Sequence, residues 1–358
     1  MHLMSTALNG LSPRPIVQAP MAGGASCPPL AAAVSEAGGL GFLAGGYKTA
    51  DGMYQEVKRL RGLTRRPFGV NLFLPQTGAV DPAAVEAYRG QLAGEASWYE
   101  TSLADDDIVG NTDDGYDAKL AILLDDPVPV VSFTFGCPAA GTLARLREVG
   151  TYTVVTVTSV EEARAAQAAG ADAVCVQGIE AGGHQGTHRD DPQADGSGVG
   201  LLALVAQVRE AVGLPIVAAG GLMRGSQIAA VLAAGAEAAQ LGTAFLACPE
   251  SGAHALHKKA LTDPLFVRTE LTRAFSGRPA RGLVNRFMRE HGPYAPAAYP
   301  QVHHLTSGLR KAAAAAGDPQ GMALWAGQGH RLARALPAGE LVEVLMAELA
   351  ETQATRSV

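Results

Sequence analysis

Four short stretches of the sequence pass from apolar, strand-like residues into glycines. They are residues 17–24, 176–184, 217–221 and 240–243. Glycine has no Cβ, so it adopts a positive φ readily and lets the backbone approach a ligand closely. Ordinary turns also use glycine, but 43 glycines in 358 residues, without a collagen-like period, exceed the usual share. Four loops of one pattern therefore favour a binding site.

The last two of these loops could bind a phosphate. Gly220 and Gly221 follow the seventh predicted strand, while Gly242 and Thr243 follow the eighth, which ends near Gln240. In (β/α)8 barrels this pair of loops, with the start of a short helix, often binds phosphate through backbone N–H groups. The spacing predicts a phosphorylated ligand and leaves open whether it is a substrate or a cofactor.

Three polar side chains stand at strand ends, where they could contact the same ligand. His184 closes a Gly-Gly loop, and imidazole can exchange a proton near neutral pH. Asn71 and Gln177 end the third and sixth predicted strands, and their amides offer both a donor and an acceptor. A surface or core histidine and two turn residues are the simpler alternatives. The glycines beside His184 make it the candidate catalytic residue.

The elements that must position these residues alternate along most of the chain. Continuous apolar runs, which indicate strands buried on both faces, alternate with alanine-rich helical segments. The predicted strands are residues 15–19, 40–44, 68–73, 128–133, 153–157, 173–176, 216–219 and 238–241. The clearest helical segments are residues 30–37, 50–60, 139–149, 160–169, 201–212 and 226–234. Eight such units predict an α/β protein with a (β/α)8 TIM-type barrel.

Two regions interrupt this repeat. Residues 1–74 and 127–250 are predicted to form the barrel, and residues 75–126 are predicted to be an insertion in the third βα connection. Residues 251–358 are predicted to be a helical region that caps the barrel and contacts the substrate. Both regions leave the C-terminal ends of strands, where barrel enzymes build their active sites.

Several other patterns carry no predicted site. The acidic runs 105–107 and 113–114 lack metal-ligand spacing, so we expect them on a solvated face. The G-x-G-x-x-A match at residues 39–44 lies within a strand and does not lead into a helix. Histidine pairs lack an acidic or thiolate third ligand, so we predict no metal site. The helix predicted at 341–351 is expected to pack on the core.

Composition and charge narrow the possible partners and location. A formal net charge of −6 without a basic stripe argues against nucleic acid. Prolines interrupt the apolar stretch 15–35, so we expect no membrane span. The four cysteines lack paired spacing and the first residues lack a signal-peptide pattern, so we expect a cytoplasmic protein. It could be a monomer or a homodimer.

Longer motifs resemble those of class I nitronate monooxygenases, FMN enzymes formerly called 2-nitropropane dioxygenases. The similar stretches are residues 18–23, 131–136, 177–186, 218–221 and 325–330, which follow the family's order over nearly the whole chain. The stretch 177–186 is the most specific. Related flavin enoyl reductases and quinone reductases share the barrel and the stretch 218–221.

The resemblance implies that the phosphorylated ligand is FMN. The implied cofactor-binding residues are Met21, Ala22, Gly23, Asn71, Gln177, Gly182, Gly183, Gly220, Gly221, Gln240, Gly242 and Thr243. Of these, residues 220, 221, 242 and 243 would bind the phosphate, and residues 21–23 would lie against the flavin ring.

The resemblance also implies a reaction. An alkyl nitronate such as propionate 3-nitronate would react with O2 to give a carbonyl compound and nitrite. His184 matches the family's active-site histidine, which would position the nitronate or act as a base on a neutral nitroalkane. One alternative is an FMN reductase that uses NAD(P)H to reduce a quinone or an enoyl thioester. Another is a barrel that binds a phosphorylated metabolite without redox chemistry.

The substrate side departs from the family pattern. Some members carry Tyr-Pro-x-x-Tyr followed four residues later by Lys, whereas here Tyr299 and its proline are followed by His303 and Ser307. Only Tyr299 is therefore carried over as a substrate contact. Arg310 and Lys311 are the candidates for the missing cation.

Overall fold

The strands and helices alternate as the sequence predicts. The computed structural model describes residues 10–76, 78, 80–103, 113–191 and 198–355. The strands are β1 Ile16–Gln18, β2 Gly41–Ala44, β3 Phe68–Phe73, β4 Val130–Thr134, β5 Tyr152–Val157, β6 Ala173–Gln177, β7 Gly183–His184, β8 Ile216–Ala219, β9 Ala238–Leu241, β10 Thr269–Thr272 and β11 Ala280–Leu283.

Helices surround the sheet and recur along the tail. They are α1 Pro28–Glu36, α2 Ala50–Leu63, α3 Pro82–Trp98, α4 Tyr116–Asp125, α5 Ala140–Glu148, α6 Val160–Ala169, α7 Leu201–Ala211, α8 Gly225–Ala233, α9 Thr243–Leu246, α10 Ala255–Ala260, α11 Arg286–His291, α12 Gln301–Leu305, α13 Ser307–Ala315 and α14 Ala338–Thr355. Within the described residues, no helix combines the length and apolar character needed to cross a membrane.

Eight parallel strands form the predicted barrel. Their order is β1-β9-β8-β6-β5-β4-β3-β2. The ring closes between β1 and β2, where Val17 bridges to Leu40 in parallel. The Leu40 N–H donates to the carbonyl oxygen of Ile16 at 2.9 Å, and the Gln18 N–H donates to the carbonyl oxygen of Leu40 at 2.9 Å. The (β/α)8 prediction is confirmed, and each of the eight predicted strands overlaps an observed one.

Successive side chains of a strand alternate between its two faces, and this alternation explains how polar residues face the inside of the barrel at its C-terminal end. In β6, Val174 and Val176 belong to the core under the helices, whereas Ala173 and Cys175 belong to a separate cluster inside the barrel. Successive side chains of a strand point to opposite faces, so Gln177 continues the inner row after Cys175. Both residues line the cavity described below.

The described residues of the predicted insertion form two helices with different neighbours. Helix α4 packs against α2 in the outer layer of the barrel. Helix α3 packs against the tail, and its Tyr88 hydroxyl donates to the carbonyl oxygen of Ala274 at 2.7 Å. The acidic run 105–107 lies outside the described residues. In the run 113–114, Asp113 is exposed as predicted, whereas Asp114 is half-buried and its carboxylate pairs with Lys119.

The tail also has two parts. A small sheet with the order β10-β11-β7 joins it to the barrel loop that carries His184. Helix α14 instead packs against α1 and α8, and its Leu341, Val342 and Leu345 belong to the barrel core. This packing agrees with the core position predicted for residues 341–351. It also places α14 in the outer layer of the barrel, away from the tail sheet.

Candidate active site

One cavity of about 350 Å³ opens at the C-terminal ends of the barrel strands. The predicted site residues that line it are Met21, Ala22, Gly23, Asn71, Gln177, Gly182, Gly183, His184, Gly220, Gly221, Gln240, Gly242 and Thr243. Tyr299 lies beside the cavity, with its ring centroid 5.7 Å from that of His184. The barrel loops that the sequence separates by more than 200 residues thus converge on one space.

Asn71 points a fixed amide into the cavity. Its Nδ2 donates to Ser132 Oγ at 2.9 Å and to Thr134 Oγ1 at 3.0 Å, both on neighbouring β4. These contacts assign the orientation of the amide, because only the nitrogen can donate. The Asn71 oxygen is therefore the atom that can accept a hydrogen bond from a ligand.

Gln177 holds the histidine loop. Its Nε2 donates to the carbonyl oxygen of His184 at 3.1 Å, and its Oε1 accepts from the Gly186 N–H at 2.7 Å. The nitrogen and the oxygen of this amide therefore both make hydrogen bonds to the backbone, at His184 and at Gly186. The structure places Gln177 in the cavity as predicted, and it adds a function that the spacing did not indicate, because Gln177 fixes the backbone of His184.

The glycines of the site are required for different structural reasons. A Cβ built on Gly23 or Gly183 would meet no protein atom within 4 Å, and both residues have positive φ, +86° and +73°. They leave space beside the cavity for a ligand. A Cβ on Gly182 would lie 2.5 Å from the backbone nitrogen of Gly327. Gly182 is therefore required by the packing of the tail against the barrel.

His184 is held on both its backbone and its ring. Its strand β7 pairs with β11, so that His184 lies opposite Ala280. Its Nε2 lies 2.9 Å from Ser276 Oγ, within hydrogen-bond distance. Its ring centroid lies 5.9 Å from that of Phe135 and 5.5 Å from that of Trp325. The imidazole is therefore fixed in an aromatic environment at the edge of the cavity.

Two arginines lie near His184, of which Arg278 is buried and Arg310 is half-buried, and they differ in their hydrogen-bond partners. Arg278 lies over the Phe135 ring at 4.2 Å and donates to Gln76 and to Thr187. Arg310 donates from Nη2 to the carbonyl oxygen of His303 at 2.7 Å and lines the cavity. No described residue of the cavity lining is acidic. An arginine beside a cavity without a carboxylate favours an anionic ligand.

Burial and these two arginines lower the basicity of His184. Burial is the main cause and the cations Arg278 and Arg310 add to it, and together they lower the pKa of His184 to about 3. Burial also lowers the pKa of Arg310 to about 10. At neutral pH the site therefore holds a neutral imidazole beside a charged guanidinium.

Several lining residues were not found from the sequence. Phe73 follows Asn71 by two residues in β3, so the alternation of the strand could have indicated it. Tyr47 and Phe135 adopt positive φ of 64° and 73°, and no local pattern predicts this for aromatic residues. Arg310 was one of two candidates for the missing cation. The other, Lys311, is exposed.

A cluster of possible metal ligands lies away from this cavity. Among the described residues, Glu95, Glu290 and His291 place ligand atoms within 4.8 Å of one another. Arg286 occupies the centre of the cluster, since it donates to Glu95 Oε2 at 2.9 Å and to Glu290 at 2.8 Å. The cluster is therefore explained by ion pairs.

Comparisons with known proteins agree on one family. The sequence model of the nitronate monooxygenase family matches residues 5–348. A nitronate monooxygenase of Pseudomonas aeruginosa is 44% identical over 96% of this chain and 98% of its own length. One from Paraburkholderia phytofirmans is 41% identical over 95% of this chain and 93% of its own length.

Two solved structures are similar to this chain over nearly its whole length. The nitroalkane oxidase from Streptomyces ansochromogenes is 74% identical, with a TM-score of 0.95 over 98% of this chain and 99% of that chain. FabK from Thermotoga maritima is 30% identical, with a TM-score of 0.74 over 98% of this chain and 97% of that chain.

The depressed pKa of His184 gives a testable expectation. Its folded-state pKa lies below the unfolded value, so the folded protein keeps this ring neutral as the pH falls from 8 to 5. Nitrogen-15 NMR of labelled imidazoles should show no titration of His184 in that range, with His184→Asn to assign the signal. The substitution Arg310→Gln should raise the pKa of His184, because it removes one of the two cations near the ring. Protonation with a midpoint near 6.5 in the wild type would contradict the lowered pKa of His184.

Proposed function

Since the chain belongs to the nitronate monooxygenase family of oxidoreductases, we propose that it uses FMN and O2 to oxidise alkyl nitronates to carbonyl compounds and nitrite. Propionate 3-nitronate represents the proposed substrate class. The main support is that neutral His184 and cationic Arg310 both line a cavity whose described lining contains no acidic residue. Nitronates are anions, so such a cavity suits them electrostatically.

The described cavity is compatible with FMN. The open space beside Gly23 and Gly183 and the free acceptor on Asn71 suit a flat ring with polar edges. We assign the phosphate to the loops at residues 220–221 and 242–243. When bound, FMN would supply the redox chemistry between the nitronate and O2.

We assign to His184 the positioning of the nitronate. A neutral imidazole with a pKa of about 3 is a weak base, so removing a carbon-bound proton from a nitroalkane is unfavourable for it. It can still donate or accept a hydrogen bond, and Ser276 and the strand pairing keep it in place. We assign Arg310 to the carboxylate of propionate 3-nitronate, which its positive charge would attract.

The direct test is a nitrite assay. Purified protein should show the visible spectrum of a flavin, and the released cofactor should have the mass of FMN without an adenine group. With propionate 3-nitronate under air it should produce nitrite. A colourless protein that FMN does not reconstitute would instead support the alternative of a barrel that binds a phosphorylated metabolite.

Gly242→Val tests the assigned phosphate site. Gly242 has a φ of −104°, so a side chain brings no backbone strain, and its Cβ would lie 3.5 Å from that of Ala19. The valine methyl groups would narrow the cavity, so we expect FMN affinity to fall by about tenfold or more, ~1.4 kcal/mol. The flavin-to-protein ratio and titration with FMN measure it. Gly141→Val on α5, where a Cβ meets nothing within 4 Å, is the control, and equal FMN affinity in both variants would place the phosphate elsewhere.

His184→Asn separates positioning from base catalysis. Asparagine keeps a hydrogen bond but cannot exchange a proton near neutral pH. For a positioning residue we expect kcat/KM for preformed nitronate to fall about tenfold or less, with a similar loss on the parent nitroalkane. A loss on the nitroalkane alone of about 10²–10⁴-fold would identify His184 as a base.

Arg310→Gln tests the anion contact. Loss of a charged hydrogen bond should raise KM for propionate 3-nitronate by about 10–100-fold, ~1.5–3 kcal/mol, and less for a nitronate without a carboxylate. Arg310→Lys should restore part of the affinity because it restores the charge. Lys311→Gln is the matched control, because Lys311 is exposed. An unchanged KM in Arg310→Gln would remove this residue from the substrate site.

A further inference from the structure

Tyr47 brings a strained backbone to the cavity. It follows β2, lines the cavity and adopts the left-handed conformation with a φ of +64°. That conformation is disfavoured for a bulky residue other than glycine, so it persists only where the surrounding structure holds it. Such a tyrosine at a binding site therefore needs an anchor.

Asp114 supplies this anchor from the insertion. Its Oδ1 accepts a hydrogen bond of 2.9 Å from the backbone N–H of Tyr47. Its Oδ2 accepts one of 2.6 Å from the ammonium group of Lys119 on α4. The Lys119 side chain is only 1% exposed, and a buried charge of this kind needs a partner. One carboxylate therefore connects the loop after β2 to the outer layer of the barrel.

The ring of Tyr47 extends to the substrate side of the cavity. It stacks on His303 with centroids 4.0 Å apart and 7° between the ring planes. Its hydroxyl oxygen accepts a hydrogen bond of 3.2 Å from Tyr299. The His303 carbonyl oxygen in turn accepts a hydrogen bond of 2.7 Å from Arg310. Direct contacts therefore lead from Asp114 to the arginine assigned to the substrate anion.

We propose that Asp114 is a positioning residue for substrate binding, because its hold on the Tyr47 backbone keeps the Tyr47 ring against His303 and thereby orients Arg310. The role of Arg310 rests on the proposed function, whereas the tether between Asp114 and Tyr47 does not. Asp114 is not among the cavity-lining residues and acts through Tyr47. The insertion at residues 75–126 thereby contributes to substrate selection.

Two double variants separate the tether from the ion pair. Asp114→Leu with Lys119→Met removes both charges and also the acceptor for the Tyr47 N–H. Asp114→Asn with Lys119→Met removes both charges but keeps a side-chain oxygen as acceptor. Neither leaves a buried charge unpaired. For each variant we would determine the crystal structure, the FMN content, and kcat and KM for propionate 3-nitronate and for a nitronate without a carboxylate.

The tether predicts different outcomes for the two variants. In the leucine variant the Tyr47 ring should leave His303, and KM for propionate 3-nitronate should rise about tenfold with a smaller change in kcat. FMN content should stay near that of the wild type, and KM for the nitronate without a carboxylate should rise less. The asparagine variant should keep the Tyr47 ring in place and KM within about twofold of the wild type. Equal rises in both variants, or an unchanged KM with a displaced ring, would overturn the proposal.

Tyr47→Gly provides a second test, which does not require the variant Asp114→Leu with Lys119→Met to fold. Glycine adopts a positive φ without a tether, and it removes the ring, so KM should rise about tenfold by itself. Adding the leucine and methionine substitutions to it should change KM no further. An unchanged KM in Tyr47→Gly, or a further rise in the triple variant, would contradict the proposed route.

Absence of nitronate turnover in the wild type would instead refute the proposed function. The two crystal structures would still test the tether between Asp114 and Tyr47.

Discussion

The pairing of a two-residue strand with the tail is the interaction on which the rest of the site depends. Gly183 and His184 form β7, which pairs with Ala280 and Arg281 of β11. The same tail strand is tied to the barrel loop again, because Arg281 Nε donates to the carbonyl oxygen of Ile179 at 2.9 Å. The candidate catalytic histidine is therefore fixed by sheet hydrogen bonds, and the barrel loop and tail must fold together to form the site.

The chemistry of the site follows from this enclosure. Where the tail covers the loop, burial of the His184 ring and the cations Arg278 and Arg310 favour its neutral form. The same enclosure strengthens the attraction between Arg310 and an anion, since charges interact more strongly away from bulk water. A neutral imidazole and an oriented guanidinium thus follow from one structural cause, and together they suit a substrate that arrives already deprotonated.

The sequence predicted the barrel and the glycine-rich part of the cavity lining, because those features have local causes. Strand burial follows hydrophobic patterning, and loops that approach a ligand use glycine, so residues such as Gly221 and Asn71 could be identified. The missed features arise from contacts between distant segments. Tyr47 is held in a disfavoured backbone conformation by a residue of the insertion, and the choice of Arg310 over Lys311 depends on which side of a tail helix faces the cavity.

Anaerobic rapid mixing tests most directly whether this flavin barrel oxidises nitronates. The purified holoenzyme would be mixed without O2 with propionate 3-nitronate in one experiment and with NADH or NADPH in another, and the visible flavin absorbance would be followed. If His184 and Arg310 bind the nitronate as proposed, the nitronate should bleach the flavin rapidly, and the nicotinamides should bleach it slowly or not at all. Rapid bleaching by NADH or NADPH, with no change on adding the nitronate, would contradict the account and favour the reductase alternative.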